Sequence, residues 1–258
     1  MLAGNRSGDA APAIFALMLD ALVARWRSSL RLPSQCEVCR GWGTGRVCDD
    51  CVSRFAQPVP RCACCGLRLG LPTAACGACL RDPPPFSRTL CGVDYAFPWQ
   101  GLITQFKFHG QAELAGALAN LTLQALRAAP APAAEMLVPV PLAPRRLGQR
   151  GYNQAWELAR RLALARGVPA QADALVRAVD TAQQLELGRT ARQRNLRAAF
   201  MVYPRRRALL KGLRVALVDD VMTTGATVRE AAAALLRGGV ASVEVWVVAR
   251  TPDIAPGD

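Results

Sequence analysis

Residues 215–227 read Val-Ala-Leu-Val-Asp-Asp-Val-Met-Thr-Thr-Gly-Ala-Thr, and this stretch decides the fold class. Its order predicts a buried strand, two adjacent acids, a turn of small residues and a helix over residues 226–237. Asp219 and Asp220 can accept hydrogen bonds from the vicinal hydroxyls of a ribose. The turn can surround a phosphate with backbone N–H groups, and the helix directs its positive N-terminal end at the same phosphate. The stretch therefore predicts a site for a phosphorylated sugar at the carboxyl end of a strand.

The chain beyond residue 90 alternates between strand patterns and helix patterns. The predicted strands cover residues 90–97, 136–141, 174–177, 200–203, 214–218 and 242–250, and the predicted helices cover residues 100–108, 112–128, 153–166 and 226–237. This alternation is typical of an α/β domain, because each helix returns the chain to the start of the next parallel strand. We therefore predict a mostly parallel, doubly wound sheet.

The composition is that of a folded protein with a basic surface. The 258 residues are 52% hydrophobic and 20% charged, and the formal net charge is +13. No apolar run approaches the ~18–20 residues that cross a bilayer, so we expect no transmembrane helix. A basic surface suits phosphate-bearing partners, from nucleotides to nucleic acids. The alternative is the solvated surface of a protein from an arginine-rich proteome.

Eight of the ten cysteines form four Cys-x-x-Cys pairs. The pairs are Cys36/Cys39, Cys48/Cys51, Cys62/Cys65 and Cys76/Cys79. Two intervening residues let a tight turn place both sulfurs on one ion, and two such turns complete a zinc tetrahedron. Eight residues separate the first two pairs and ten separate the last two, so each interval suits a short β-hairpin and two consecutive zinc ribbons. Interleaved pairing of first with third and second with fourth stays open, and disulfides are the alternative to two zinc ions.

Two cysteines stand outside this pattern. Cys91 is expected as a small buried residue on the strand that enters the α/β domain, whereas Cys64 could compete with its neighbour Cys65 as a ligand. Residues 32–85 hold too few large apolar side chains for an ordinary core, so bound metal would supply folding energy. We predict a double zinc-ribbon domain over residues 32–85 and a larger α/β domain over residues 86–258.

The N-terminal segment, residues 1–31, carries apolar residues at helical spacing, at Ile14, Met18, Leu22 and Trp26. Acidic residues flank its short apolar centre, which argues against a signal peptide. We predict an amphipathic helix that caps a domain or contacts a partner. Cysteines that bind metal instead of pairing with each other favour a cytoplasmic location.

Basic residues cluster at further places along the α/β region. Arg145 and Arg146 follow a predicted strand, in a turn that then opens a helix. A guanidinium fork binds two phosphate oxygens at once, so this turn can hold a second anionic group such as pyrophosphate. The long polar stretch 179–198 carries more arginines and is typical of a lid over a charged ligand. Lys107 is a better candidate for a phosphate contact than the lone histidine nearby.

Several motifs occur together and in one order, and with them the chain resembles the ComF family. They are the four cysteine pairs, Phe106-Lys-Phe-x-Gly110, Val138-Pro-Val-Pro141, Arg150-Gly-Tyr-Asn-Gln154 and Leu217-Val-Asp-Asp-Val-Met-Thr-Thr-Gly-Ala-Thr227. The resemblance covers about residues 32–250. It implies a double zinc ribbon followed by a type I phosphoribosyltransferase domain. The family is linked to uptake of single-stranded DNA in natural competence, and its GntX-like relatives to use of DNA as a nutrient or to gluconate metabolism.

The resemblance also implies roles for individual residues. Asp219 and Asp220 would face ribose hydroxyls, directly or through Mg²⁺, and Arg145 and Arg146 would face a pyrophosphate. The residues that would hold the 5′-phosphate are Thr223, Thr224, Gly225, Ala226 and Thr227. The implied ligand is phosphoribosyl pyrophosphate or a related sugar phosphate.

Three functions are open on the sequence. The first is a DNA-handling protein that binds a phosphoribosyl or 5′-phosphate ligand together with single-stranded DNA. The second is an active Mg²⁺-dependent phosphoribosyltransferase, for which the sequence names no acceptor. The third is a ligand-sensing adaptor that docks on membrane or helicase partners through the N-terminal helix. The expected location is the cytoplasm, with peripheral attachment to DNA-uptake proteins at the inner membrane as a further option.

Overall fold

The computed structural model of the protein describes residues 33–71, 73–129, 134–177 and 199–252. The predicted N-terminal helix and the polar stretch 179–198 lie outside these residues. The chain forms two compact units, Met1–Cys48 and Asp49–Asp258. The third and fourth cysteine pairs belong to the second unit. The predicted domain boundary after residue 85 therefore lies inside this unit.

The described part of the first unit is a short antiparallel ribbon. Strand β1 (Ser34–Gln35) pairs with strand β2 (Trp42–Gly43). Between and beside them, Glu37 forms ion pairs with Arg40 at 3.0 Å and with Arg46 at 3.3 Å. Ion pairs on an open surface contribute less than about 1 kcal/mol. So short a ribbon therefore needs the neighbouring cysteines to hold its shape.

The second unit alternates strands with helices after two short helices near its cysteines. Its helices are α1 (Asp49–Phe55), α2 (Gly77–Arg81), α3 (Trp99–Phe108), α4 (Ala115–Ala128), α5 (Pro144–Arg150), α6 (Gln154–Arg166), α7 (Arg207–Leu210) and α8 (Ala226–Arg237). Its strands are β3 (Arg88–Asp94), β4 (Met136–Pro139), β5 (Leu175–Arg177), β6 (Phe200–Val202), β7 (Arg214–Met222) and β8 (Ser242–Arg250). Each strand and helix predicted over these residues is present. Within the described residues, no helix combines the length and apolarity needed to span a membrane.

Four strands form the central sheet in the order β3-β8-β7-β4, and every neighbouring pair in it runs parallel. Nearly every residue of β4, β7 and β8 is buried or half-buried, as expected of strands that are covered on both faces. Strands β5 and β6 form a separate antiparallel pair. The predicted mostly parallel sheet is confirmed.

Helices cover both faces of this sheet. Helices α4 and α6 contact each other, α4 also contacts β3 and β8, and α6 contacts β4 and β7, whereas α8 contacts β6, β7 and β8. Val215 and Leu217 of β7 share one buried cluster with Val228 and Leu235 of α8. Because alternate strand residues point to opposite faces, α8 covers one face while α4 and α6 cover the other. Each large apolar side chain that is fully buried there stabilises the fold by about 1.5–3 kcal/mol.

Several predicted boundaries near the carboxyl edge of the sheet are wrong, and β3 and β4 end at Asp94 and Pro139 instead of at residues 97 and 141. The strand predicted over residues 214–218 continues to Met222, because β7 stays paired with β8 that far. Asp219 and Asp220 therefore lie within the strand and not in the turn. The arginine-rich turn predicted after β4 is instead helix α5. It begins at Pro144, whose fixed φ and missing N–H suit a first helical turn.

Candidate functional site

The acidic pair lies near the carboxyl end of β7, at the edge where parallel α/β sheets bind ligands. Gly225 lies between this strand and α8 and has a φ of 81°, which an L side chain rarely adopts. A Cβ atom on Gly225 would also stand 2.6 Å from Cε of Met222. Glycine is therefore required where the chain turns from β7 into α8.

The turn between β7 and α8 is open to solvent. Its residues Thr223, Thr224, Ala226 and Thr227 are exposed, and only Gly225 among them is buried. Oγ1 of Thr224 accepts a long hydrogen bond, 3.4 Å, from the N–H of Ala226. The first N–H groups of a helix have no partner within the helix and attract anions. The turn can therefore surround a phosphate with N–H groups and hydroxyls.

The acidic pair lies beside an ammonium group. Nζ of Lys107 is 3.0 Å from Oδ1 of Asp220, whose side chain is only 4% exposed. Oδ2 of Asp220 is buried and has no hydrogen-bond partner among the described residues. Burial and the neighbouring charge of Asp220 raise the pKa of Asp219 to about 7, and the charge of Lys107 opposes that rise. An unpartnered buried carboxylate oxygen fits a hydroxyl donor or a divalent cation.

Lys107 lies in the last turn of α3, within the helix that the sequence predicts over residues 100–108. Its ion pair with Asp220 fixes the ammonium group at the carboxyl edge of the sheet. A phosphate contact by Lys107 stays a prediction. In such a contact, the positive charge of Lys107 would already be partly compensated by the carboxylate of Asp220.

A basic cavity of about 440 Å³ lies beside this ion pair. Its lining residues are Lys107, Phe108, Gly110, Arg146, Gln149 and Arg150. Arg145 is exposed on α5 and does not line the cavity. The cavity therefore brings together two of the predicted cations, Lys107 and Arg146, with a third cation, Arg150. Three cationic side chains around one space favour an anionic occupant.

Arg150 is a candidate site residue that the sequence reasoning misses. Its guanidinium lies 5.0 Å from the centre of the Phe108 ring. Its Nη1 is buried and has no hydrogen-bond partner among the described residues. Burial lowers the pKa of Arg150, and the negative charge of Asp220 opposes that change. A half-buried guanidinium with an unpartnered N–H group fits a ligand oxygen.

The signal that could have identified Arg150 is the motif from Arg150 to Gln154. The hydroxyl of Tyr152 donates a hydrogen bond to the carbonyl of Phe106. Nδ2 of Asn153 donates to the carbonyl of Val140 at 3.1 Å, and its Oδ1 caps the first turn of α6. These contacts tie the end of α5 to α3 and β4. The motif therefore positions an arginine as well as opening a helix.

Two groups of four cysteines form in the described residues, and in each group the sulfur atoms lie within 4.8 Å of one another. The groups are Cys36, Cys39, Cys48 and Cys51, and Cys62, Cys65, Cys76 and Cys79. All of these thiols are free of disulfides. Each group could hold a metal ion, and four sulfurs at this spacing fit the tetrahedral ligation of a zinc ribbon. The local pairing is confirmed, and the interleaved pairing is excluded.

Backbone N–H groups point at sulfur atoms in both groups. The amides of Val38 and Cys48 lie 3.4 Å from Sγ of Cys36, and the amide of Cys76 lies 3.2 Å from Sγ of Cys62. Burial raises the pKa of both thiols, but such donors outweigh it and lower the pKa to about 6 for Cys36 and about 7 for Cys62. Thiolates are the form that ligates metal.

The predicted hairpins do not fill the intervals between the cysteine pairs. Strands β1 and β2 flank the first pair, and an isolated antiparallel bridge between Arg61 and Arg68 flanks the third. The second and fourth pairs lie at the starts of α1 and α2. Cys64 lies outside both groups, and Cys91 is buried on β3 as predicted.

Arg250 links the second cysteine group to the acidic strand. It is the last residue of β8, and its Nε donates to the carbonyl of Cys65 at 3.2 Å. Its Nη1 donates to the carbonyls of Met222 at 3.3 Å and Thr251 at 2.7 Å. The buried guanidinium of Arg250 therefore donates both to the backbone of the second cysteine group and to the last residue of β7.

Comparison with known proteins gives independent evidence on the same regions. Residues 149–254 match the model of the phosphoribosyl transferase domain. The chain is 40% identical over 232 residues to the DNA utilization protein YhgH of Salmonella typhi, covering 86% of this chain and 99% of that protein. It is 33% identical over 229 residues to Competence protein F of Haemophilus influenzae, covering 84% and 96%. It is 28% identical over 214 residues to Competence protein ComFC of Bacillus subtilis, covering 80% and 85%.

These relatives are matched over almost their whole lengths, so the likeness extends well beyond the phosphoribosyl transferase domain alone. Identity of 33–40% across such lengths accompanies the motif order and the two cysteine groups described above. The chain therefore belongs to the ComF family.

Proposed function

We propose that this chain acts in DNA uptake or DNA utilisation and binds a phosphoribosyl or 5′-phosphate ligand at the carboxyl edge of its sheet. The names of its relatives support the first part, and the match to a phosphoribosyl transferase domain supports the second. One observation carries the ligand proposal. Oδ2 of Asp220 is buried without a described partner, beside Lys107 and ahead of an open glycine turn.

The sugar of the ligand would lie over the acidic pair. Asp219 and Asp220 would accept hydrogen bonds from ribose hydroxyls, directly or through Mg²⁺. Residues 223–227 would hold the 5′-phosphate with backbone N–H groups and hydroxyls. Lys107 and Arg146 line the cavity that would take a second anionic group, such as pyrophosphate.

Single-stranded DNA is the proposed second ligand. The formal net charge of +13 favours a polyanion, and Arg145 on α5 is one of its exposed cations. Each phosphate neutralised by an arginine releases counterions, so the affinity should fall steeply as salt rises.

We also assign one zinc ion to each cysteine group. Sulfur atoms supply all four ligands of each tetrahedron, which leaves no open position for a substrate. Zinc would therefore stabilise the cysteine modules instead of taking part in chemistry. In regions so poor in apolar side chains, metal binding would supply folding free energy that packing does not.

Titration calorimetry tests the ligand proposal directly. The ligands are phosphoribosyl pyrophosphate and two oligothymidylates of equal length, one with a 5′-phosphate and one with a 5′-hydroxyl. We expect binding of the sugar phosphate, and tighter binding of the phosphorylated oligonucleotide. Asp219→Asn should weaken sugar-phosphate binding about tenfold, because a hydrogen bond to a charged group contributes about 1.5–3 kcal/mol. No measurable binding of any of the three compounds would contradict the proposal.

The second candidate is a Mg²⁺-dependent phosphoribosyltransferase with an unknown acceptor. The observation that favours it is the raised pKa of Asp219 beside an unpartnered oxygen, a combination typical of catalytic clefts. In that reaction the bond from the anomeric carbon to pyrophosphate breaks as the acceptor bonds to that carbon. The cations of the basic cavity would stabilise the charge on the departing pyrophosphate.

Pyrophosphate release separates the two candidates. Panels of bases and amines would be offered with phosphoribosyl pyrophosphate, with and without Mg²⁺. Release that requires both Mg²⁺ and Asp219 would support the enzyme. Tight binding without release for any acceptor would support the DNA-handling protein.

We propose a cytoplasmic location with peripheral contact to membrane-associated DNA-uptake proteins through residues 1–31. The two groups of four cysteines, whose arrangement fits metal ligation, support the location, since disulfide-forming compartments would oxidise such sulfurs. Cell fractionation of the protein with and without residues 1–31 tests the contact. Membrane association that survives this deletion, with ligand binding intact, would contradict it.

A further inference from the structure

An aromatic side chain stands exposed at the carboxyl edge of the sheet. Phe97 is 79% exposed and follows the end of β3 by three residues. Its ring meets the ring of Phe55 edge to face, with centroids 5.7 Å apart and planes at 89°. Phe55 therefore supports Phe97 on one side and leaves most of its ring to solvent.

The surrounding elements hold these two rings in place. Trp99, at the start of α3, is 2% exposed, and its Nε1 donates to the carbonyl of Phe55 at 3.0 Å. Phe97 lies only two residues before this buried indole. Two aromatic rings that contact each other, one of them largely exposed, form an apolar patch of the kind that marks a binding surface.

Guanidinium groups lie near the rings, one against Phe55 and two others in the lining of the same cavity. The guanidinium of Arg54 lies 5.3 Å from the centre of the Phe55 ring. Arg61 and Arg68 both pair with Asp94, at 2.6 Å and 3.2 Å, and the side chain of Arg68 is 58% exposed. These three arginines and one aspartate leave the surface with an excess of positive charge. A cavity of about 260 Å³ lies here, lined by Phe55, Phe97, Arg61, Arg68, Asp94 and Trp99 among others.

We propose that this surface, formed by Phe55, Phe97, Arg54 and Arg68 and called the Phe97 surface, binds single-stranded DNA by stacking bases and pairing phosphates. The inference rests on the proposed function and deepens it by locating the DNA contact. An exposed ring stacks on any base, and flanking guanidinium groups accept the phosphates. Bases of a duplex already stack on each other, so the surface selects single strands. A protein partner would instead favour a core depleted of charge.

The Phe97 surface and the acidic pair lie on the same edge of the sheet. Arg250 of β8 is in register with Asp94 of β3 on one side and with Met222 of β7 on the other. Neighbouring strands are about 4.8 Å apart, so the ends of β3 and β7 lie about 10 Å apart. A short oligonucleotide on the Phe97 surface can therefore direct its terminal phosphate toward the turn after β7.

Fluorescence anisotropy of labelled oligonucleotides tests the inference with the full-length, zinc-loaded protein. The probes are an oligothymidylate and an abasic oligomer of the same length, which carries the phosphates without the bases. Phe97→Ala should weaken oligothymidylate binding at least about fivefold, because base stacking on an aromatic ring contributes ~1–3 kcal/mol. Phe97→Trp should preserve it. Leu164→Ala removes another exposed apolar side chain (86% exposed) and should leave the binding of both probes unchanged.

The abasic probe and the salt series separate stacking from charge. Wild type and Phe97→Ala should bind the abasic oligomer equally, whereas Arg68→Ala should lower the slope of log affinity against log salt by about 0.7. Unchanged oligothymidylate affinity in Phe97→Ala, with wild type still binding, overturns this inference alone. Failure of wild type to bind any oligonucleotide overturns the DNA part of the proposed function as well. Binding of phosphoribosyl pyrophosphate, measured on the same variants, should be unaffected by Phe97→Ala.

Discussion

Nζ of Lys107, in the last turn of α3, lies 3.0 Å from Oδ1 of Asp220 in β7. This ion pair compensates one of two adjacent acids, and the other oxygen of Asp220 has no partner among the described residues. Asp219 lies next to that charge, and its pKa is raised to about 7. Burial and the charge of Asp220 cause that rise, and Lys107, from a helix that is distant in sequence, opposes it.

The first prediction concerns this ion pair. Lys107→Met should lower the free energy of unfolding by about 3 kcal/mol at pH 8, because it leaves a buried carboxylate without its countercharge. Urea unfolding measures the loss. Asp220→Asn in the same background should recover most of it, as a double-mutant cycle would show. Losses that simply add would contradict a direct interaction.

The second prediction concerns pH. Burial raises the pKa of Asp219 to about 7 in the folded protein, above the ordinary value of 3.8 for an aspartate side chain. The folded state therefore holds a proton that the unfolded state has lost, and this contribution to stability falls as pH rises from about 4 to 7. Asp219→Asn should then stabilise the protein relative to wild type by on the order of 2 kcal/mol more at pH 7.5 than at pH 5.5. Unfolding free energies of both proteins without added divalent cations check this. A stability difference that is independent of pH would refute it.

The third prediction concerns the metal. Purified protein should contain two zinc ions, and Cys76→Ser should lose one of them, since Sγ of Cys76 lies 3.7 Å from Sγ of Cys65 within the second group. Cys64→Ser is the matched control, because Cys64 is equally half-buried in the same module and lies outside the group. Metal content by mass spectrometry should show one ion for the first variant and two for the second. Loss of zinc from Cys64→Ser would show that the ligand assignment is wrong.

The fourth prediction concerns the turn after β7. Gly225→Ala should destabilise the protein by about 1–2 kcal/mol, because the φ of 81° penalises a Cβ and that atom would press on Met222. It should also weaken binding of phosphoribosyl pyrophosphate by distorting the turn. Gly148→Ala on α5 has no heavy atom within 4 Å of the added Cβ and should stabilise by about 0.5–1 kcal/mol. Thermal unfolding compares the two. Equal effects at both positions would contradict the role of the turn.

Local sequence predicted the elements that build the site. The apolar run of β7, the glycine after it and the apolar periodicity of α8 each act over a few residues, and each predicted element is present. The predicted end of β7 is wrong, because β7 stays paired with β8 as far as Arg250 and therefore continues past Asp219 and Asp220. Pairing between strands depends on residues distant in the chain, which a local pattern does not contain.

By itself the sequence determined the strand–turn–helix unit and the four Cys-x-x-Cys pairs, because these depend on neighbours a few positions apart. It left open how the pairs combine, and only the structure groups the first pair with the second and the third with the fourth. Only the tertiary structure brought Lys107 to Asp220, placed Arg150 in the basic cavity and joined Arg250 to both Cys65 and Met222. Each of these contacts joins side chains from separate elements. Their geometry depends on how helices and strands pack around the shared sheet, and packing is a property of the whole domain.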